Sequence, residues 1–221
     1  MEKNKSIWMK KNMSSIHFNI LDPQRLEVFN LLSSFKKYGI LGGGTAIALQ
    51  IEHRKSYDFD IFLEKSIPKE LINDVKKIFP DFQILREETN QFDFVVRNEI
   101  KLTFLKHAFP PLHPPIKTGS LDLFNLKDLA SNKAATIGRR GVWRDYVDLF
   151  FLIKNGTSSL KSVITETEKR FGGEFNKRLF LEQLLFTKDI TDFEIDYLSK
   201  TYSFEEISSF FENQVKNYTL Y

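Results

Sequence analysis

The chain has 221 residues, 32 Lys+Arg against 29 Asp+Glu for a formal charge of +3, and 42% apolar residues including 22 Phe. That composition supplies a core for one domain or two small lobes, and a 28% charged fraction is a globular share rather than a disordered one. There is no cysteine, which excludes disulfide frameworks, thiolate metal sites and cysteine nucleophiles, and so small an excess of positive charge identifies no nucleic-acid surface without local clustering.

In chain order, Met1 to Ser14 carries lysines but no apolar run of signal-peptide length. Asp22-Pro23 reads as N-cap and first residue of a helix whose Leu26, Phe29, Leu32 and Phe35 share one face, ending near Gly39. Ile40-Leu41 then leads through Gly42-Gly43-Gly44-Thr45 into an apolar helix from Ala46 to about His53. Residues 58–63 alternate polar and apolar as a half-buried strand does, and Pro68 opens an amphipathic helix to about Phe79. Three β-like runs follow at 82–87, 92–97 and 100–106, with a hairpin tip at 97–99. Four prolines, Pro110, Pro111, Pro114 and Pro115, punctuate the chain. Beyond them only helices are expected, at about 125–140, 143–154, 159–171, 175–187 and 203–217. The organisation is α+β followed by an all-helical region, with a boundary at 110–124 that divides an α/β lobe (1–120) from a helical C-terminal lobe (121–221). The longest apolar stretch, Leu149 to Ile153, is far short of the roughly 20 residues of a membrane span, so a soluble cytoplasmic protein is expected.

Two features carry chemistry. Asp58 and Asp60, two apart on a strand, emerge on one face, and such a pair repels unless a cation lies between them; Mg²⁺ suits, since it takes one or two carboxylates together with phosphate oxygens. A bare D-x-D also describes a solvated strand face. Upstream, the glycines let backbone N–H groups approach an anion at a helix N-terminus, and Thr45 can donate its hydroxyl to a phosphate oxygen, or act as an ordinary N-cap. The two together are much rarer than either alone. Neither a P-loop nor a dinucleotide fingerprint is present.

Leu41-Gly42-Gly43-Gly44-Thr45-Ala46 followed by His53-Arg54-x-Ser56-x-Asp58-Phe59-Asp60-Ile61-Phe62 resembles the first motif of the AbiEii/AbiGii nucleotidyltransferase toxins, within the polymerase-β-like nucleotidyltransferase superfamily. Leu126-Lys127-Asp128-Leu129-Ala130-x-x-Lys133, Arg139-Arg140 and Arg144-Asp145-Tyr146-Val147-Asp148-Leu149 resemble its later motifs, so that residues 38–155 are covered. The resemblance implies a polymerase-β-like mixed sheet with flanking helices and a helical C-terminal lobe. It implies Mg²⁺- or Mn²⁺-dependent transfer of a nucleotidyl group from an NTP, with RNA or tRNA as acceptor. It further implies a toxin of a toxin–antitoxin or phage abortive-infection system, and so a cognate antitoxin. In that scheme Gly43, Gly44 and Thr45 hold the triphosphate, Asp58 and Asp60 the metal, Lys133 the nucleotide phosphates, and Asp145 is the late acid and a candidate base with Asp148 beside it.

Other residues keep two readings. Lys133 and Arg140, two helical turns apart, can address one anion, or can belong to a basic helix end. Asp148 can pair with Arg144, and Arg54 can reach a phosphate, brace Asp58 or complement a helix C-terminus. His107 and His113 are expected to face solvent, and the Phe-rich late helices to form core. The superfamily commonly places a third carboxylate on a later strand; here Thr103 stands in that place, and threonine is no base. Asp145 or Asp148 then substitutes, or Asp93, although 92–95 alternates as a plain strand. The alternatives are a weak or inactive NTP-binding module, or transfer to a small molecule or protein.

Overall fold

The computed structural model describes residues 16–97, 99–187 and 190–219. Helix α1 (Pro23–Leu31) starts where the sequence places it: the Asp22 carboxylate accepts the Arg25 amide at 2.9 Å and Pro23 occupies the first position, where no N–H is needed. It tightens into a 3₁₀ turn (Leu32–Phe35) before strand β1 (Ile40–Leu41). Helix α2 (Gly43–Ile51) follows directly, so Gly43 and Gly44 lie in its first turn rather than in a loop before it. Next come β2 (Phe59–Leu63), α3 (Lys69–Ile78), β3 (Gln83–Glu88), β4 (Gln91–Val96) and β5 (Ile100–Lys106). The helical part comprises α4 (Leu126–Ile137), α5 (Trp143–Lys154), α6 (Leu160–Phe171), α7 (Lys177–Leu185) and α8 (Phe204–Thr219).

Among the described residues the strands form one mixed sheet in the order β1-β2-β5-β4-β3, in which only the β2–β5 pair is parallel. Alternation assigns its faces. Phe59, Ile61, Phe92, Phe94, Leu102 and Phe104 point to one side and are fully buried under the apolar face of α1, the 3₁₀ turn and the end of α3. Rings interlock there, Phe35 against Phe79 at 6.1 Å and Phe94 against Phe104 at 6.0 Å between centroids. Asp60, Phe62, Lys101, Thr103, Leu105 and Gln91 face the other side.

The register on that second face places the candidate acids. Asp60 is opposite Thr103 across β2–β5, and Thr103 is opposite Asp93 across β5–β4. Continued one residue before β2, the same parallel register sets Asp58 beside Lys101.

The proline segment is pinned, not loose. Asp128 of α4 accepts the amides of Leu112 at 2.7 Å and His113 at 3.0 Å. Arg170 of α6 donates to the carbonyls of Phe109 and Pro110 at 3.0 and 2.9 Å. The His107 ring is therefore half-buried, with its edge against Phe62, Phe124 and Phe171, and His113 pairs with Glu166 at 3.0 Å, so neither is the free surface histidine expected from sequence. A second difference lies in 190–199. That stretch returns to the loop ahead of Asp58, where Lys55 N–H donates to Asp196 O at 2.8 Å and Leu198 N–H to His53 O at 3.0 Å. Most of the late phenylalanines are core, but Phe186, just past α7, is 47% exposed.

Candidate active site

A cleft of about 520 Å³ opens between the second face of the sheet and the helical part, lined on one side by Gly43, Gly44, Asp60, Gln91, Lys101 and Thr103. Asn132, Lys133, Thr136, Arg139, Arg140 and Asp145 line the other. Its four basic side chains against two acids make it net positive.

The glycine turn is built against Asp60. Gly43 has φ +64°, and a Cβ there would lie 2.2 Å from Asp60 Oδ2, so no other residue fits without displacing the carboxylate. Gly42 N–H holds the Asp60 carbonyl at 2.8 Å. No acceptor among the described residues meets the N–H groups of Gly43, Gly44 or Thr45. These amides carry the positive end of α2 into the cleft. Burial pushes the Asp60 carboxyl above its ordinary range, with Lys133 opposing and Asp58 adding to the rise.

Asp58 is exposed and immediately precedes β2. Among the described residues no group of three or more His, Asp or Glu is arranged to hold a metal by itself. Of the two acids Asp60 lines the cleft, and Asp58 is near enough for its charge to act on Asp60; two carboxylates are what a cation arriving with phosphate oxygens takes.

Thr45 does something different from what its sequence position suggests. It is buried at the third position of α2, Gly42 takes the N-cap place, and its hydroxyl donates to the Asp58 carbonyl and lies 2.9 Å from Ser56 Oγ. The side chain thus ties the approach to Asp58 onto the helix and is not offered to a phosphate.

Behind the cleft wall lies a closed ionic cluster. Asp148 is fully buried and takes Arg54 through two bonds, from Nε at 2.7 Å and Nη2 at 2.9 Å. His53 Nε2 lies 2.7 Å from the same carboxylate, as does Lys133 Nζ. Lys133 also meets Asp145 at 2.6 Å, and Arg140 approaches the other oxygen of Asp145 at 3.5 Å. Burial would raise the Asp148 carboxyl, but Arg54 and Lys133 outweigh it and hold it well below the usual carboxylate range. Burial likewise works against the charge on Lys133, and Asp145 and Asp148 reverse it, leaving Lys133 raised. Burial keeps His53 low.

These contacts revise three expectations. Asp148 pairs with Arg54 rather than Arg144 and cannot touch a nucleotide, since no part of it is exposed. Arg54 is committed to Asp148 and the Lys55 carbonyl; its guanidinium packs against Gly44, where a Cβ would meet Nη2 at 2.4 Å, so it supports the glycine turn from behind. Lys133 and Arg140 do address one anion, but it is Asp145. Asp145 thus sits between two cations, its carboxylate turned to Lys133 and Arg140. Lys133 stays at the cleft wall, whereas Arg139 and Arg140 have more than half of each side chain exposed and only long contacts, at 3.3–3.5 Å to Glu174 and at 3.5 Å to Asp145, to give up for a ligand.

Sequence reasoning missed Lys101, Gln91 and Asn132 as cleft residues. Lys101 was legible, since it lies two residues before Thr103 and shares its face; Asn132 depends on how α4 docks. Asp93, in the Thr103 row, is buried and held by Gln91 Nε2 at 3.0 and 2.9 Å.

No family model matches the chain. It is 28% identical over 182 residues to aq_aa25, an uncharacterized protein of Aquifex aeolicus, covering 80% of this chain and 86% of that one. Among solved structures it is similar to the nucleotidyltransferase toxin MenT4 of Mycobacterium tuberculosis (TM-score 0.58, 14% identity, covering 88% of this chain and 82% of that one). It is also similar to a candidate nucleotidyltransferase of H. pylori (TM-score 0.56, 18% identity, 89% and 95% covered). Likeness at such identities is a likeness of fold, and it places this mixed sheet with its helical C-terminal region in the nucleotidyltransferase fold.

Proposed function

We propose that the chain is a nucleotidyltransferase that uses an NTP and Mg²⁺ or Mn²⁺, with RNA, and tRNA in particular, as acceptor. The observation that carries this is the contact of the Gly43 backbone with the Asp60 carboxylate inside a net-positive cleft. It brings the unpartnered amides at the start of α2 together with the Asp60 carboxylate, an arrangement that suits an NTP tail with its metal. The ion supplies Lewis-acid charge at the phosphates. The chain's own groups orient them: the first amides of α2 take phosphate oxygens, Arg140 and Arg139 neutralise the tail, and Lys133 adds charge from the wall. The acceptor hydroxyl oxygen bonds to the α-phosphorus, the bond from that phosphorus to the bridging oxygen breaks, pyrophosphate leaves with the electron pair, and the hydroxyl proton passes to water.

The acceptor and the biological setting rest on the resemblance to AbiEii/AbiGii toxins and on the shared fold with MenT4. They imply a toxin of a toxin–antitoxin or abortive-infection system and a cognate antitoxin. Among the described residues no helix is long and apolar enough to cross a membrane. Each NTP, labelled on the α-phosphate, is to be incubated with Mg²⁺ and tRNA or total RNA, comparing wild type with Asp60→Ala. Label entering RNA only with wild type supports the proposal; label on protein or small molecules moves the acceptor class. A second reading, an NTP-binding module without turnover, is favoured by Thr103 in the row of Asp60; tight NTP binding with no transfer to any acceptor selects it.

A further inference from the structure

The second face of the sheet is a small grid. Asp60 is paired with Thr103, Asp93 lies one strand further on, and the β2–β5 register, continued one residue before β2, brings Asp58 level with Lys101. In two-metal phosphoryl-transfer sites, a pair of divalent cations flanks the reacting phosphorus and needs several carboxylates to hold it. Here the neighbour of Asp60 is a hydroxyl, and the ammonium of Lys101, two residues before Thr103 on the same face, adds its charge to the field at Asp60. Lys101 lines the cleft and makes no ion pair or hydrogen bond among the described residues. A second divalent cation would be set against that ammonium with no third carboxylate to hold it.

Asp93 does not repair the deficit. It is two strand spacings, roughly 9.6 Å, from Asp60. Gln91 engages both of its oxygens, and Arg86 stands 4.0 Å away. The charge count is satisfied without it. Two divalent cations on three carboxylates leave one net positive charge; one divalent cation on Asp58 and Asp60 together with Lys101 leaves the same.

We propose that the cleft takes one divalent cation per bound nucleotide, on Asp58 and Asp60, and that Lys101 supplies beside Asp58 the positive charge a second cation would bring to the nucleotide phosphates. The inference rests on the nucleotidyltransferase reading and adds to it the number of ions and a cationic residue. It also explains how Thr103 is tolerated: an ammonium carried by the chain needs no carboxylate ligands.

The test is a Mn²⁺ titration of the full chain followed by the electron paramagnetic resonance of free ion, with a non-hydrolysable NTP analogue present. Wild type should bind one Mn²⁺ per analogue, and Thr103→Asp, which restores a carboxylate, two. Lys101→Met should keep one Mn²⁺ but weaken the analogue roughly ten-fold and slow transfer roughly a hundred-fold, with Lys101→Arg recovering most of both. Near-ultraviolet circular dichroism checks that each variant folds, and the lysine variants decide the matter if Thr103→Asp does not. Two Mn²⁺ in wild type overturns the proposal, and loss of the second in Asp93→Asn would make Asp93 the third acid. A Lys101→Met protein indistinguishable from wild type overturns it as well. No Mn²⁺–analogue complex at all defeats the nucleotidyltransferase reading itself, a result distinct from two ions.

Discussion

Two groups of charge meet at Lys133 and have opposite surroundings. On the sheet side, Asp58 is exposed, and Asp60, at the cleft floor, is costly to ionise because burial outweighs the pull of Lys133, Lys101 and Arg140. On the helix side, Arg54, His53, Lys133, Asp145 and Asp148 satisfy one another, and Asp148 is held ionised by the cations around it. An unmet charge in a cleft is a place for a ligand; a met charge in the interior is a joint between elements. The same motif residues that a resemblance assigns together to a nucleotide thus divide, in three dimensions, into those that can touch it and those that hold the others in place.

The comparison can be broken most decisively by exchanging the consequences. Asp60→Ala should abolish transfer, by roughly a thousand-fold or more. It should leave stability to urea unchanged or slightly raised, because a carboxyl disfavoured by burial is removed. Asp148→Ala should do the reverse in stability, costing about 3–5 kcal/mol in urea unfolding, because Arg54 and Lys133 lose their buried partner. An Asp148→Ala protein as stable as wild type would mean that the cluster is not a joint.

Gly43→Ala sharpens the contact between the two groups. A side chain at φ +64° costs about 1–2 kcal/mol, and its Cβ must displace the Asp60 carboxylate. Nucleotide affinity should fall more than unfolding stability does, measured by calorimetry and by urea. Equal affinity would separate the glycine turn from the binding site.

A further effect, on stability alone, concerns His107, which lines the cleft and packs edge-on against Phe62, Phe124 and Phe171. Burial, with Arg170 and Arg139 nearby, lowers it from 6.5 to about 4. The folded protein therefore stays unprotonated there while the unfolded chain takes up a proton. Stability is unaffected above pH 6.5 and falls as pH drops from 6.5 to about 4, by about 2 kcal/mol after allowance for partial exposure. His107→Gln should flatten that part of a urea-midpoint profile; an unaltered slope would assign it to other groups.

Local rules explain what the sequence made legible. Asp22-Pro23, the alternation of 58–63 and the three later strand runs are signals written within a few residues, and the helix start and the strands lie within about two residues of where those signals put them, whereas the first helix, expected to run to near Gly39, ends at Leu31 with a 3₁₀ turn to Phe35. Asp60 on the cleft face of β2 followed from the two-residue period alone. What did not follow depends on docking between distant segments. Arg54 meeting Asp148 spans 94 residues, and no helical spacing contains it. The Thr45 hydroxyl turned inward because 55–58 fold back over α2, held there by 190–199, which carry no strand signal. His107 looked free beside its prolines, and its burial arises from Arg170 drawing the proline segment onto α6.

The central claim is that Asp58, Asp60 and the first turn of α2 share one ligand. Crystals grown with Mn²⁺ and a non-hydrolysable NTP analogue test it directly through the anomalous signal of the ion. The account predicts Mn²⁺ between the Asp58 and Asp60 carboxylates, with phosphate oxygens on the amides of Gly43 and Gly44. Ion and phosphates bound away from that turn, or a nucleotide with no ion on those two acids, would contradict it.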